Sequence, residues 1–380
     1  MNAPPSYSPP DFRIESVEIA DGTFWVGKRA EGGVFHANPY LRTFRGRADG
    51  GRESAFHVLI DPGSSSDFTF VHTKVSGLIG GLDKLSALFI NHQDPDVGAS
   101  ASIIMARYAP KASILCSEDT WRLIVHGNLP RDRFMATERF ANGIKLPTGQ
   151  RLLPVPSPFC HFRGAVMLYD PQTRVLFSGD LFGGLTDGND LRLDADESDW
   201  AGIRAFHQLY MPVNAALAGA VAAIRALEPA VEVIAPQHGR VIRGALVAQF
   251  LDRMARLPVG LDIMDEASDP SSLQAWNAVA QRVLEVARGF LGPQAEAKLA
   301  EDGDLADTLR FDGGRVSIES LGKWTVERLV ERLCVNEPSE IVGPIMVEAT
   351  VAATEYDLPT PHLDIEGAFA GETPTSLAVG

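Results

Sequence analysis

Short apolar runs, punctuated by turn residues, alternate with stretches of helical period along the first two thirds of the chain. "RIESVEIA", "TFWVGKR" and "AFHVLIDPG" read as strands, the last leaving into a turn at Asp61-Pro62-Gly63. "TKVSGLIGGLDKL" suits a helix broken at Gly80 and Gly81, and "SALFIN" a buried strand. "VGASASIIMARYAP" reads as a helix that stops before Pro110, "KASILCS" as a strand, and "SEDTWRLIVHG" as a helix capped by Ser117. "RLLPVPSPFCHFRG" is extended, and Pro154, Pro156 and Pro158 make it an edge or a loop. "AVMLYDPQTRVLFSGD" is a hairpin turning at Asp170-Pro171-Gln172-Thr173. A helix over "MPVNAALAGAVAAIRALEP" and a strand over "VEVIAPQHG" follow. Strands and helices alternate irregularly, with hairpins among them, so mixed sheets flanked by helices are expected.

The texture changes after about residue 262. "SSLQAWNAVAQRVLEVARGFLG" and "SIESLGKWTVERLVERLC" carry apolar residues at helical spacing, so residues 263–350 are read as a small, mainly helical accessory domain. Residues 351–380 are expected to be a loosely ordered acidic tail, and residues 1–11, rich in Pro and Ser, a disordered N-terminus. There are no internal repeats.

Composition narrows the function. A formal charge of −15 argues against nucleic acid and against anionic membrane surfaces, both of which reward basic patches. The N-terminus lacks the basic and apolar regions of a signal peptide, and no apolar run is long enough to span a bilayer. The three cysteines, Cys116, Cys160 and Cys334, are odd in number and show no CxxC spacing. A reducing, cytoplasmic location is the expectation.

Candidate chemistry collects just past strand ends. His92, Asp94 and Asp96 form H-x-D-x-D after one strand; His161 precedes the hairpin; Asp180 closes it; His238 follows the last strand. Singly, each has an ordinary explanation, since Asp-Pro-Asp and His-Gly are turn and loop formers. Together, imidazoles and carboxylates delivered to one rim by rigid elements point to a metal site. The other six histidines, His36, His57, His72, His126, His207 and His362, show no ligand pattern. Cys160, next to His161, is expected to turn to the opposite face of a strand and join the core.

The order H-x-D-x-D, His, strand-Asp, strand-His-Gly resembles the metallo-β-lactamase superfamily. Within it, "RVLFSGDLFGG", "FHQLYMPVNAALAGAVAAI" and "VEVIAPQHGRVIRG" resemble the diiron branch of flavodiiron proteins and oxygen-binding diiron proteins. The resemblance implies an α/β fold, the αββα sandwich of that superfamily over residues 12–262, to which the helical appendage is C-terminal in sequence. It implies one metal on His92, Asp94, His161 and a bridging Asp180, and a second on Asp96, Asp180 and His238. The family places another histidine after Asp96; this chain has Val97. Three readings of that departure stay open: an apolar opening for a diatomic ligand, a weakened second site, or replacement of the missing ligand by His207.

Charge favours a redox metal. Three carboxylates and three neutral imidazoles leave a pair of divalent ions one positive charge in excess, and a more oxidised pair is better tolerated than in a histidine-rich zinc site. The resemblance implies two non-haem iron ions, which this charge balance suits, with zinc or manganese as alternatives. No phosphate-cradling loop follows a strand in residues 263–380, so no FMN is expected in this chain. Asn38 and Tyr40 resemble the family's N-x-Y-L strand near the metals; His36 and Tyr210 are candidates to donate hydrogen bonds to bound O2. The resemblance suggests an O2-binding sensor or carrier, a homodimer, that signals to a partner protein. The alternatives are an O2 or NO reductase fed by an external flavoprotein or rubredoxin, a zinc hydrolase of lactonase or thioesterase type, and a metal-free scaffold.

Overall fold

The computed structural model describes residues 15–29, 32–47, 53–267, 270–312 and 314–363. The N-terminal segment 1–11 and the tail beyond residue 363, both expected to be poorly ordered, lie outside the described residues. The chain divides into two compact units, one ending at Val259 and the other beginning at Gly260.

The first unit is a four-layer sandwich. One sheet runs in the order β1 (Val17–Ala20), β2 (Thr23–Trp25), β3 (Tyr40–Arg47), β4 (Glu53–Ile60), β5 (Ala87–Phe89), β6 (Ser113–Cys116) and β7 (Phe134–Ala136). Its first four strands are antiparallel and its last four parallel. The other sheet comprises β8 (Ile144–Lys145), β9 (Arg151–Pro156), β10 (Val166–Asp170), β11 (Val175–Gly179), β12 (Val233–Pro236) and β13 (Ile242–Arg243), in the spatial order β13-β12-β11-β10-β9-β8. The sheets face each other across a core that includes Trp25, Tyr40, Phe44, Phe89, Leu168 and Phe177. Helices α1 (Phe68–Ile79), α2 (Pro95–Gly98), α3 (Ser100–Arg107) and α4 (Glu118–Ile124) cover the outer face of the first sheet. Helices α5 (Trp200–Tyr210), α6 (Asn214–Arg225) and α7 (Ala245–Ala255) cover the second. Strands sandwiched on both faces need apolar residues at every position, and β10 and β11 are buried throughout.

Several local expectations hold for their stated reasons. Gly80 ends α1 in the left-handed conformation, and the Ser117 hydroxyl accepts the Thr120 amide at the start of α4. Pro154 and Pro156 sit on the half of β9 that β8 leaves uncovered, since β8 pairs only with Arg151 and Leu152. Cys160 is buried as expected but for a different reason: it lies in the loop between β9 and β10, not on a strand, and packs against the helices of the second sheet. Strand β3 carries no apolar alternation because Arg42 is itself a core residue. Its Nε donates to Asp170 Oδ2 at 2.7 Å, with both side chains almost fully buried.

The second unit holds α8 (Leu261–Ala267), α9 (Pro270–Leu291), α10 (Gln294–Ala300), the hairpin β14 (Leu309–Asp312) and β15 (Arg315–Ile318), α11 (Gly322–Cys334) and α12 (Ser339–Glu355). Trp276, Val283, Leu329 and Ile345 share its core. It is mainly helical, with a hairpin the sequence pattern does not announce. Helix α12 runs past residue 351, where the tail was expected to begin, and buries Ala352 and Ala353. No helix among the described residues is long and apolar enough to cross a membrane.

Candidate metal centre

Six residues arrive at one rim from four places in the chain. His92 follows β5, and Asp94 and Asp96 sit at the start of α2, where Pro95 occupies the first turn. His161 comes from the β9–β10 loop, Asp180 from the end of β11 and His238 from just beyond β12. His161 Nε2 stands 3.0 Å from Asp94 Oδ2 and 3.2 Å from Asp180 Oδ2. His92 Nε2 lies 3.5 Å from each of the same two oxygens. His238 Nε2 is 3.2 Å from Asp96 Oδ2 and 3.5 Å from Asp180 Oδ1. Thus the Asp180 carboxylate turns one oxygen to His92 and His161 and the other to His238.

The tautomers follow from the outer partners. Asn91 Nδ2 donates to the Val166 carbonyl at 2.6 Å, so its Oδ1 is left to accept from His92 Nδ1 at 2.9 Å. His238 Nδ1 donates to the His36 carbonyl at 3.0 Å. In their neutral form both imidazoles therefore present a lone pair at Nε2 to the cluster, as a metal ligand must.

A metal suits this donor set. Ligand atoms of His92, Asp94 and His161 lie within 4.8 Å of one another. His92 Nε2 and Asp180 Oδ1 are buried without a hydrogen-bond partner among the described residues, a costly state that a bound cation relieves. The charges agree. The hydrogen bond from His161 and the close His92 imidazole hold the Asp94 carboxyl below the usual carboxylate range. Burial pushes Asp96 up, but His238 outweighs it and the net shift is downward. Burial opposes charge on His92, yet Asp180 and Asp94 push its pKa up to about 9. Carboxylates that hold a proton on the imidazole between them favour a cation in the same place.

The surrounding residues correct two expectations, those for His207 and His36. His207 cannot replace the missing ligand. Its Nε2 accepts the Phe182 amide at 3.1 Å and its Nδ1 donates to the Ile203 carbonyl at 2.7 Å, so both ring nitrogens are committed. Burial lowers its pKa to about 4 and keeps it neutral in that role. It fixes the turn after Asp180, where Phe182 takes a positive φ. His36 does not aim its ring at the cluster: Nε2 bonds to the Gly33 carbonyl at 2.8 Å, and its own carbonyl orients His238. Asn38 and Tyr40 serve the same loop from the other side, donating to the Pro236 carbonyl, with Asn38 also reaching the Gly239 carbonyl. Tyr210 is half-exposed, with its ring 6.2 Å from that of His161. Val97 is fully buried in the apolar cluster with Ile90, Ala101 and Ile104 and offers no ligand atom.

Three supporting residues escaped the sequence reading. Asn91 orients His92 and ties β5 to β10. Asp61 accepts the Asn91 amide at 2.8 Å, and burial pushes its carboxyl up to about 7. Gly179 has φ +61, and a Cβ there would meet the Asn91 side chain at 2.1 Å, so that side chain occupies the space a larger residue needs. The "IN" before His92 and the "GD" of the hairpin were visible, but a lone Asn or Gly carries no signal of what it will touch.

Imidazoles and carboxylates gathered at the strand ends of an α/β/β/α sandwich make a candidate metal site on the metallo-β-lactamase fold. The chain belongs to the ODP family beta lactamases, whose model matches residues 35–239. It is similar to the apo state of chemotaxis sensor ODP from T. denticola, at 30% identity and a TM-score of 0.54, covering 66% of this chain and 97% of that one. A structure described as the peroxy diiron species of chemotaxis sensor ODP matches at 29% identity and a TM-score of 0.51, covering 64% and 93%. An anaerobic nitric oxide reductase flavorubredoxin of Vibrio vulnificus (strain YJ016) is 29% identical over 240 residues, 60% of this chain and 47% of that protein. The chain spans less than half the length of the curated relatives it matches. These relatives support non-haem iron as the class of metal.

Proposed function

We propose that this protein binds O2 at a non-haem diiron site and acts as an oxygen sensor or carrier. The observation that carries the reading is the split carboxylate of Asp180, with Oδ2 toward His161 and Oδ1 toward His238. In this reading His92, Asp94, His161 and Asp180 hold one iron, and Asp96, Asp180 and His238 the other. A ferrous pair, when bound, supplies the electrons that O2 takes up. The protein supplies the rest. Asn91 and the His36 carbonyl hold two imidazoles in the ligating tautomer. His207 fixes the turn that aims Asp180. Val97, packed in the core, supplies no ligand to the second half-site, and in this reading the unfilled coordination position takes the diatomic molecule.

The domain reading goes with it: residues 12–262 carry the site and residues 263–350 form the accessory domain that passes the change to a partner, in a cytoplasmic homodimer. The second unit, residues 260–380, holds 22 Asp and Glu against 8 Lys and Arg, nearly all of the chain's acidic excess. A signalling partner that meets it is therefore expected to present basic residues.

The nitric oxide reductase relatives favour a second reading, an O2 or NO reductase supplied by a separate flavoprotein or rubredoxin. One experiment separates them. The protein is purified without oxygen, loaded with ferrous iron, and mixed with O2. A sensor or carrier gives a lasting visible absorption change and slow O2 consumption in the presence of a reductant and a flavoprotein donor. A reductase consumes O2 or NO in many turnovers. Zinc in the site and no spectral change would point instead to a hydrolase.

A further inference from the structure

We propose that Phe35 shields the second half-site and sets the size of ligand that reaches it. The inference rests on the diiron reading for the identity of the ligand, but its geometry stands on the chain alone.

The centroid of the Phe35 ring lies 4.1 Å from that of His238, with the planes 30° apart. His238 is 2% exposed, whereas Phe35 is 42% exposed, so the phenyl ring separates the imidazole from solvent. A large apolar side chain left this open loses much of its burial free energy, and its contact with one candidate ligand gives the position a purpose. Behind it, Phe206 is buried, 5.4 Å from His238 and 6.2 Å from Phe35 by ring centroids. Phe206 then meets Tyr210 at 4.8 Å, and Tyr210 meets His161 at 6.2 Å. The rings thus form a wall from one half-site to the other, with its middle in the core and its two ends at the surface.

Phe35 stands at the end beside the half-site with fewer side-chain donors. Its loop is held on both sides. The Gly32 amide donates to the Gly188 carbonyl at 2.9 Å, and the Thr186 amide to the Val34 carbonyl at 2.9 Å. Beyond Phe35, the His36 carbonyl accepts from His238, and the Asn38 amide donates to the Gln237 carbonyl at 2.7 Å. A ring carried on such a tethered segment acts as a fixed wall, admitting small linear molecules beside it and excluding bulky ones.

The first test needs no metal. Metal-free protein is treated with diethyl pyrocarbonate, and acylation of each histidine is followed by peptide mass spectrometry. Phe35→Ala is expected to speed labelling of His238 about tenfold, the scale on which removal of apolar contacts changes selectivity. Phe35→Leu, which keeps apolar bulk, is expected to stay near the wild type. The exposed His126 serves as the internal reference and should not change. Equal His238 labelling in all three proteins would overturn the proposal.

The second test uses iron-loaded protein and the anions azide and benzoate. The wild type should bind azide and reject benzoate, and Phe35→Ala should admit both. Unchanged selectivity in Phe35→Ala would contradict the proposal. If the wild type takes up no iron, the diiron reading fails, and the labelling result alone decides the role of Phe35.

Discussion

Asp180 presents Oδ1 to His238 Nε2 at 3.5 Å and has no other partner for that oxygen among the described residues. Its other oxygen belongs to the opposite cluster. A carboxylate shared in this way is the natural bridge between two cations, because each oxygen can donate to a different ion. Asp180→Asn keeps the shape but turns one oxygen into an N–H donor, which repels a cation. The variant is expected to fall from about two metal ions per chain to one or fewer, by elemental analysis. Unchanged stoichiometry would exclude Asp180 as the bridge.

The contact between Gly179 and Asn91 predicts a stability effect. In Gly179→Ala the new Cβ has to displace the Asn91 side chain and also adopt a positive φ. The expected loss is at least about 2 kcal/mol in denaturant unfolding. Because Asn91 orients His92, metal affinity should fall along with stability.

The Arg42–Asp170 pair joins the two sheets inside the core. Arg42→Met leaves the Asp170 charge buried without its cation and is expected to cost about 3–5 kcal/mol. Asp170 also accepts from the Gln172 amide and the Thr173 hydroxyl, so it holds the hairpin turn as well. Adding Asp170→Asn to Arg42→Met should recover part of the loss, since a neutral amide needs no cation. A double variant as unstable as the sum of the singles would contradict the coupling.

His207 makes a prediction for pH. Its pKa is lowered to about 4 by burial, against an ordinary value of 6.5. Below pH 6.5 the unfolded chain therefore takes up a proton that the folded protein refuses, and the stability contributed by this residue is lost as pH falls from about 6.5 to about 4. Above pH 6.5 the dependence vanishes. Comparing wild type with His207→Gln in urea titrations across that window should show a flatter acid limb in the variant. An identical limb would mean that His207 is not held neutral.

Much of the site was legible because its ligands lie next to secondary structure with plain signals. "SALFIN" and "VLFSG" are nearly continuous apolar runs, and His92 and Asp180 fall just past them, so the strands themselves aim these side chains. His161 was harder, since its loop is irregular and its nearness to Asp94 depends on a fold that joins residues far apart in sequence. The role of His36 was not legible because a sequence does not say whether a residue acts through its ring or its main-chain carbonyl, and replacement of the missing ligand by His207 was one of three open readings. His36 contributes its carbonyl, and His207 contributes an acceptor to an amide. Strand β3 was reached only through the resemblance at Asn38 and Tyr40, and the β14–β15 hairpin was missed, because arginines and aspartates interrupt their apolar pattern. Pairing with neighbouring strands overrides local preference there.

The measurement that tests the central claim most directly is anomalous diffraction at the iron edge from crystals of anaerobically prepared protein. The account predicts two peaks about 3.5–4 Å apart, one beside His92 and His161, the other beside His238, with Asp180 between them. A single peak, or two peaks that respond only at the zinc edge, would contradict it.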